Sequence, residues 1–111
     1  MAMIKPADNV VFANSDLENA FNSLAENSPL KKSIQKTVDN LKRNIFCGQQ
    51  IPKDRIPREY IQKYKISNLW WHPLAGNWRL VYSAVTPVSF EILAVIIEYF
   101  DHKHYERRFN Y

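Results

Sequence analysis

Apolar residues recur every three or four positions between residues 17 and 45, which is the spacing of one face of an α-helix. Ser15, with Glu18 three positions later, predicts a capping box at the start of a first helix. Ser28 followed by Pro29 predicts the start of a second helix, because proline loses no hydrogen bond at the first helical position. The two helices form a predicted hairpin. Its expected buried positions are Leu17, Ala20, Phe21, Leu24, Leu30, Ile34, Val38, Leu41 and Ile45.

After residue 65 the pattern changes to the β-branched and aromatic composition of strands. The predicted strands cover residues 9–13, 66–74, 77–85 and 90–99. The links at 75–76 and 86–89 are short, which favours an antiparallel meander. The last strand is apolar on both faces, which favours an interior position in the sheet.

Pro52 and Pro57 exclude a long helix between the hairpin and these strands, and leave a loop with a short helical turn at about 57–63. The order of elements is then β-α-α-β-β-β in a single domain, residues 1–111. We predict an α+β fold with a mostly antiparallel sheet, the helical hairpin on one face, and a short C-terminal helix or turn. Alternation along the middle strand assigns Leu80 to the face under the helices and Arg79 to the opposite, open face.

Positive charge is concentrated in the middle third of the chain, where residues 31–65 contain ten Lys or Arg against three Asp or Glu. This excess favours a polyanion or an acidic protein as partner, with a solvated lysine-rich helix face as the alternative. The single Cys47 cannot form an internal disulfide, which fits a reducing cytoplasm, and we expect it to be a small buried residue. The longest apolar run, residues 92–97, is too short to span a bilayer, so no membrane partner is expected.

Two motifs resemble the RelE/ParE superfamily of toxins from bacterial and archaeal toxin–antitoxin pairs, and its archaeal RelE-like branch in particular. They are "AGNWRLVYS" at 75–83 and "DHKHYERRFNY" at 101–111. The segment "NLKRNIFCGQQIPK" extends the resemblance over nearly the whole chain. The resemblance implies a RelE-like fold and a cognate antitoxin protein that silences the toxin.

The resemblance leaves three functions open. Toxins of the RelE branch are small ribonucleases that bind the ribosomal A site and cleave messenger RNA there without a metal or another cofactor. Toxins of the ParE branch share the fold, lack the ribonuclease residues and act on DNA gyrase. The third hypothesis is an inactive relative that keeps only the antitoxin-binding surface.

Metal-free cleavage of RNA uses the 2′-OH as nucleophile and needs a base, an acid and a cation for the phosphate. By the resemblance, Arg79 matches a phosphate-clamping strand arginine, whose planar fork suits a phosphate. Tyr105 matches a tyrosine that stacks on a base or shares in proton transfer, and His102 is the preferred acid or base. Arg107, Arg108 and Phe109 are expected only to support or anchor this C-terminal segment.

The chain departs from the RelE pattern on the strand before Arg79. Well-studied RelE toxins have a pair of lysines there, whereas this strand reads "NLWWHPL". His72 is a candidate substitute for proton transfer, and Trp70 or Trp71 is a candidate for base stacking, with a core position as the alternative for both aromatics. In RelE-like toxins a basic helix and its flanking loops also contact ribosomal RNA. The corresponding phosphate-contact candidates here are Lys31, Lys32, Lys36, Lys42, Arg43, Lys53, Arg55, Arg58 and Lys103.

Overall fold

A computed structural model describes residues 4–88 and 91–109 of the chain, and these residues form a mixed α+β fold. The helices within these ranges are α1 (Ser15–Asn22), α2 (Pro29–Arg43), α3 (Arg58–Tyr64) and α4 (His102–Phe109). The strands are β1 (Asn9–Phe12), β2 (Gln49–Gln50), β3 (Trp70–Pro73), β4 (Trp78–Val88) and β5 (Glu91–Asp101). Short 3-10 turns occupy Lys53–Arg55 and Ala75–Asn77.

The described strands form one sheet in the order β1-β5-β4-β3-β2. β1 runs parallel to β5, and the other neighbouring pairs are antiparallel. The prediction of a mostly antiparallel sheet is confirmed. The interior position predicted for the last strand is also confirmed, because β5 lies between β1 and β4 and its apolar residues pack on both sides.

The two predicted helix starts differ in accuracy. Ser28 caps α2 as predicted, with its hydroxyl accepting the Lys31 backbone N–H at 3.2 Å. The capping box predicted at Ser15 is wrong by one residue, because Asn14 is the cap of α1. The Asn14 side-chain carbonyl accepts the Leu17 backbone N–H at 2.8 Å, which satisfies a donor that the first turn leaves open.

Helices cover both faces of the sheet. Leu80 and Tyr82 pack with α1 and α2, as the alternation along β4 predicts. The face that carries Val81 was expected to be open, and this expectation is wrong. Tyr60 of α3 and Tyr105 of α4 lie in a second core cluster on that face. Aromatic residues one helical turn apart, Tyr105 and Phe109, give the otherwise polar α4 an apolar stripe, which accounts for the difference.

β3 is shorter than the predicted 66–74, and a side chain explains where it begins. The Asn68 amide takes the place of a strand neighbour beside Ala84. Its Oδ1 accepts the Ala84 N–H at 2.8 Å and its Nδ2 donates to the Ala84 carbonyl at 2.8 Å. β4 runs on to Val88, past the predicted end at residue 85. Ser89, in the predicted link, and Phe90, at the start of the predicted last strand, lie outside the described residues.

A β-bulge in β5 sets the orientation of its C-terminal half. Tyr82 pairs with Ile96 and Val81 with Glu98, so β5 has one more residue than β4 at this point. As a result Glu98 lies on the same face as its neighbour Ile97, on the side of α3 and α4, and its carboxylate accepts a hydrogen bond from the Tyr60 hydroxyl of α3. The bulge therefore ties β5 to the helices beside the candidate site.

The connection from α2 to β2 lies in close contact with β3 and β4. The Tyr82 hydroxyl donates to the Ile45 carbonyl at 2.7 Å and accepts the Gly48 N–H at 3.0 Å. A Cβ added at Gly48 would lie 2.6 Å from the Trp71 carbonyl oxygen, so glycine is needed for this approach. The buried position expected for Cys47 is wrong, because the residue is exposed on this connection.

Candidate functional site

The Arg79 guanidinium lies between two aromatic rings. Its central carbon is 4.1 Å from the centroid of the Trp71 ring and 4.4 Å from the centroid of the Tyr105 ring. β3, β4 and α4 each supply one member of this stack. Cation–π contacts on a planar guanidinium fix the orientation of its fork, so Arg79 is held before any ligand arrives.

Tyr105 is part of the core as well as of the stack. Its side chain is 2% exposed, and its ring stacks on Phe109 at 4.5 Å and meets Phe100 edge-on at 5.7 Å. The Tyr105 ring therefore packs between the core and the Arg79 guanidinium and holds the guanidinium in place. In this arrangement the ring is covered by protein atoms and does not offer a free face to an RNA base.

A groove of about 370 Å³ brings Arg79 and His102 together. Trp71, Trp78 and Asn77 also line it. The His102 side chain is half exposed, and its Nε2 lies 2.6 Å from Glu106 Oε1. Within residues 4–88 and 91–109, no carboxylate lies within ion-pair distance of Arg79. The groove thus combines an oriented cation with an imidazole that a carboxylate holds in place.

His72 lies on the other side of the sheet from Arg79. Its Nδ1 is 3.2 Å from the Thr37 hydroxyl of α2 and 2.8 Å from the Pro73 carbonyl. Trp70 is on that side too, packed on Phe46 and Tyr82. The structure therefore brings together Arg79, His102 and Tyr105, but it does not bring His72 to them.

No family model, curated protein or solved structure matches this chain. Membership of the RelE/ParE superfamily therefore stays a prediction from the sequence motifs. Part of the second motif, Asn110 and Tyr111, lies outside the described residues. In the described part of the chain, no helix is long and apolar enough to cross a membrane, and no group of three or more His, Cys, Asp or Glu is arranged to hold a metal ion.

Lys31 does not belong to the basic surface that the sequence suggested. Its side chain is almost fully buried, and its ammonium lies 2.6 Å from Glu26 Oε1 and 3.2 Å from the Leu24 carbonyl. It also lies over the Phe21 ring at 5.3 Å. A buried ammonium needs such partners, so Lys31 joins α2 to the segment after α1 and is not available to a phosphate.

The other basic candidates are exposed, but the sheet divides them. The cations of α2 project from the helix that packs on the Tyr82 face. The cations near α3 project from elements that pack on the Val81 face. The first group contains Lys32, Lys36, Lys42 and Arg43, and the second contains Lys53, Arg55 and Arg58. Lys103 is exposed in the first turn of α4. A single run of charge in the sequence therefore becomes two separate surfaces.

Sequence reasoning missed the polar network that anchors α4. Arg108 Nη1 lies 2.6 Å from Glu59 Oε1, and Nη2 lies 3.4 Å from Glu98 Oε1. The hydrogen bond to Glu59 raises the pKa of Arg108. Burial, followed by the hydrogen bond to Glu98, raises the pKa of Tyr60, so this phenol stays protonated as a donor. The anchoring role expected for Arg108 has its physical basis here, and the β5 bulge that supplies Glu98 left no signal in the sequence.

Asp101 fixes the start of α4 next to the groove. Its Oδ1 accepts the His104 backbone N–H at 2.9 Å and lies 2.6 Å from His104 Nδ1. The backbone hydrogen bond, followed by the side-chain hydrogen bond from the same residue, lowers the pKa of Asp101. Asp101 therefore sets the direction in which α4 presents His102 to Arg79.

Proposed function

We propose that this chain is the toxin of a type II toxin–antitoxin pair, of the RelE kind, and that it cleaves messenger RNA on the ribosome. The observation that carries the proposal is the Arg79 guanidinium, which is stacked between Trp71 and Tyr105 and lines a groove with His102. It has no carboxylate partner within the described residues, so its fork is available to an external anion. The proposed partners are the ribosome, messenger RNA and an antitoxin, and the proposed setting is the cytoplasm.

The proposed chemistry needs no redox step. The 2′-oxygen attacks the adjacent phosphorus, the bond to the 5′-oxygen breaks, and a 2′,3′-cyclic phosphate and a free 5′-hydroxyl result. Arg79 holds the phosphate oxygens as negative charge develops on them. His102, oriented by Glu106, carries one of the two protons that move. The other described groove residues hold no second imidazole or carboxyl group, so the second proton transfer falls to water or to the ribosome, which fits cleavage that depends on the ribosome.

The experiment that tests the function is expression of the chain in a translating extract, with primer extension on a reporter message. Discrete cuts that require ribosomes are the expected result. The same message incubated without ribosomes is the matched control and should stay intact. Arrested growth of expressing cells with uncut message would contradict the nuclease and direct attention to another target.

Tyr105 should act through its ring rather than its hydroxyl. Tyr105→Phe keeps the face that stacks on Arg79, so it should retain cleavage within a few-fold of the unmodified chain. Tyr105→Leu removes the π face, and a partly desolvated cation–π contact contributes about 1–2 kcal/mol, so it should lower cleavage per folded molecule about tenfold. The smaller side chain also leaves a cavity at this buried position, so the folded fraction of each variant is measured alongside cleavage. Equal losses in the two variants would argue against a supporting ring, and a loss confined to Tyr105→Phe would assign the role to the hydroxyl.

A second candidate function is the ParE kind of action on DNA gyrase. Two observations favour it: His72 lies across the sheet from the groove, and Tyr105 is buried. Among the predicted site residues that line the groove, His102 is then the one side chain left for proton transfer, whereas RNA cleavage moves two protons. Inhibition of supercoiling by purified gyrase, with message left intact in the extract, would favour this candidate. If the chain neither inhibits gyrase nor cleaves message, the inactive relative is the remaining hypothesis.

A further inference from the structure

A second groove lies on the other side of α4 from Arg79. It has a volume of about 500 Å³ and opens between α3, α4 and the end of β5. Three guanidinium groups line it, from Arg58, Arg107 and Arg108, together with the imidazole of His104. Three arginines in one groove are a concentration of positive charge, and of the three only Arg58 is among the phosphate contacts predicted from the sequence.

The negative groups of this groove already have partners. Glu59 and Glu98 both lie against Arg108, and the His104 imidazole lies against Asp101. Arg58 and Arg107 are exposed, and within residues 4–88 and 91–109 no carboxylate lies within ion-pair distance of either. Two guanidiniums of the groove are therefore available to a ligand, while the third is held by the protein.

The geometry of the groove is set by polar contacts between α3, α4 and β5, which range from part-buried to exposed. Arg108 bridges Glu59 of α3 and Glu98 of β5, and it lies 5.8 Å from the centroid of the Tyr60 ring. The Tyr60 hydroxyl donates to Glu98 from the other side. These contacts hold α3 against α4, so they set the separation of the backbones that carry Arg58 and Arg107. Because these backbones are already held in place, less conformational entropy is lost when a ligand binds.

The groove continues along the surface. A neighbouring depression of about 440 Å³ shares Arg58 and Arg108 as lining residues and extends to Asp54, Arg55 and Phe109. An isolated ion would fill one depression, whereas a polymer with regularly spaced charges can occupy both. The arrangement therefore suits an extended polyanion.

We propose that this groove is a second anion site that binds the phosphodiester backbone of single-stranded RNA through Arg58 and Arg107. A phosphodiester presents two acceptor oxygens at each unit of the chain, and a guanidinium fork binds such a pair through two parallel hydrogen bonds. Contacts of this kind position a strand without reading its sequence. The groove lies across α4 from Arg79, so this binding is separate from cleavage and does not depend on the proposed function.

The test measures the affinity of the full chain for a short fluorescent single-stranded RNA of mixed sequence over a range of salt concentrations. For single strands the slope of log affinity against log salt changes by about 0.7 for each phosphate contact. The double variant Arg58→Gln with Arg107→Gln should therefore lose about 1.4 from this slope, and its affinity should fall at least tenfold at low salt. The matched control is Lys5→Gln with Lys63→Gln, which removes two exposed cations outside the groove and should leave the slope within about 0.3 of the unmodified chain.

Further arms separate binding in this groove from binding at Arg79 and from binding of an acidic protein. Arg79→Ala should keep the part of the slope that depends on Arg58 and Arg107, whether or not the chain cleaves RNA. In the unmodified chain, titration with inorganic phosphate should shift the Nε–H signals of Arg58 and Arg107 in NMR spectra, which tests the site without a variant. Equal slopes for the two double variants, or no shift with phosphate, would overturn the proposal. Tighter binding of a polyglutamate peptide than of RNA, lost in the Arg58→Gln and Arg107→Gln chain, would overturn it in favour of an acidic protein.

Discussion

Replacing Arg79 with alanine should reduce message cleavage in a translating extract by about 10²–10³-fold, the usual loss when one donor to a developing oxyanion is removed. The guanidinium lies between Trp71 and Tyr105 with its fork already oriented, so in the proposed reaction it would stabilise the phosphate without reorganising. Primer extension on a reporter message, quantified over time, measures the effect. The variant should still fold, because Arg79 lines a groove and has no carboxylate to leave unpaired within the described residues.

Two further substitutions make the Arg79 result interpretable. Arg79→Lys keeps the positive charge but loses the planar fork and its stacking, so cleavage should recover only in part. Lys63→Ala removes an exposed cation from α3 outside the groove and should cleave at the rate of the unmodified chain. Full cleavage by Arg79→Ala would remove this residue from the mechanism. Full cleavage by Arg79→Lys would mean that charge alone is needed and that the aromatic stack does not serve catalysis.

Local patterns were enough to predict the face on which Arg79 lies. Side chains alternate along β4, and the strongly apolar Leu80 and Tyr82 had to lie under the amphipathic helices, so Arg79 had to lie on the other face. The start of α2 was equally local, because Ser28 and Pro29 are a cap and a first residue that need no tertiary information. These predictions succeeded because each rests on contacts within a few residues along the chain.

The surroundings of Arg79 depend on distant residues and could not be predicted in the same way. The bulge that aims Glu98 at Tyr60 results from the pairing of β4 with β5, and nothing in the local sequence signals it. Tyr105 was expected to stack on a base or share in proton transfer because it matches a tyrosine of the RelE-like toxins. It is buried because α4 turns back over Phe100 and Phe109 completes the apolar contact.

The distribution of charge on the surface also depends on residues that are distant in the sequence, so it could not be predicted from local patterns. The sequence concentrates cations between residues 31 and 65, but the sheet separates those of α2 from those near α3. Arg58 instead shares a groove with Arg107, which lies far from it in the sequence. Lys31, which looked like its exposed neighbours, is held by Glu26 and main-chain carbonyls. A surface charge count cannot make these distinctions, because partner and burial are decided by the fold.

Gly48→Ala should destabilise the protein by about 3 kcal/mol, at the upper end of the usual cost of added atoms in a packed site. The new Cβ would lie 2.6 Å from the Trp71 carbonyl oxygen and 2.8 Å from the Tyr82 hydroxyl. The nearer atom belongs to the backbone of β3 and cannot rotate away, so the strand or the connection must move. Thermal unfolding followed by circular dichroism should show a midpoint lower by on the order of 10 °C.

Gly76→Ala is the matched control, because it adds the same methyl group to the other glycine under different constraints. At Gly76 the added Cβ would meet only Trp78, at 3.8 Å, and the penalty comes from the positive φ of 66°. That penalty is roughly 1–2 kcal/mol for an alanine, so Gly76→Ala should unfold at a higher temperature than Gly48→Ala. The reverse order would show that the approach of Gly48 to β3 is not tight. The Trp71 ring also contacts the Arg79 guanidinium, so Gly48→Ala should lower cleavage even in the fraction of the protein that is folded. Such a loss would show that the packing of Gly48 against β3 helps to position Arg79.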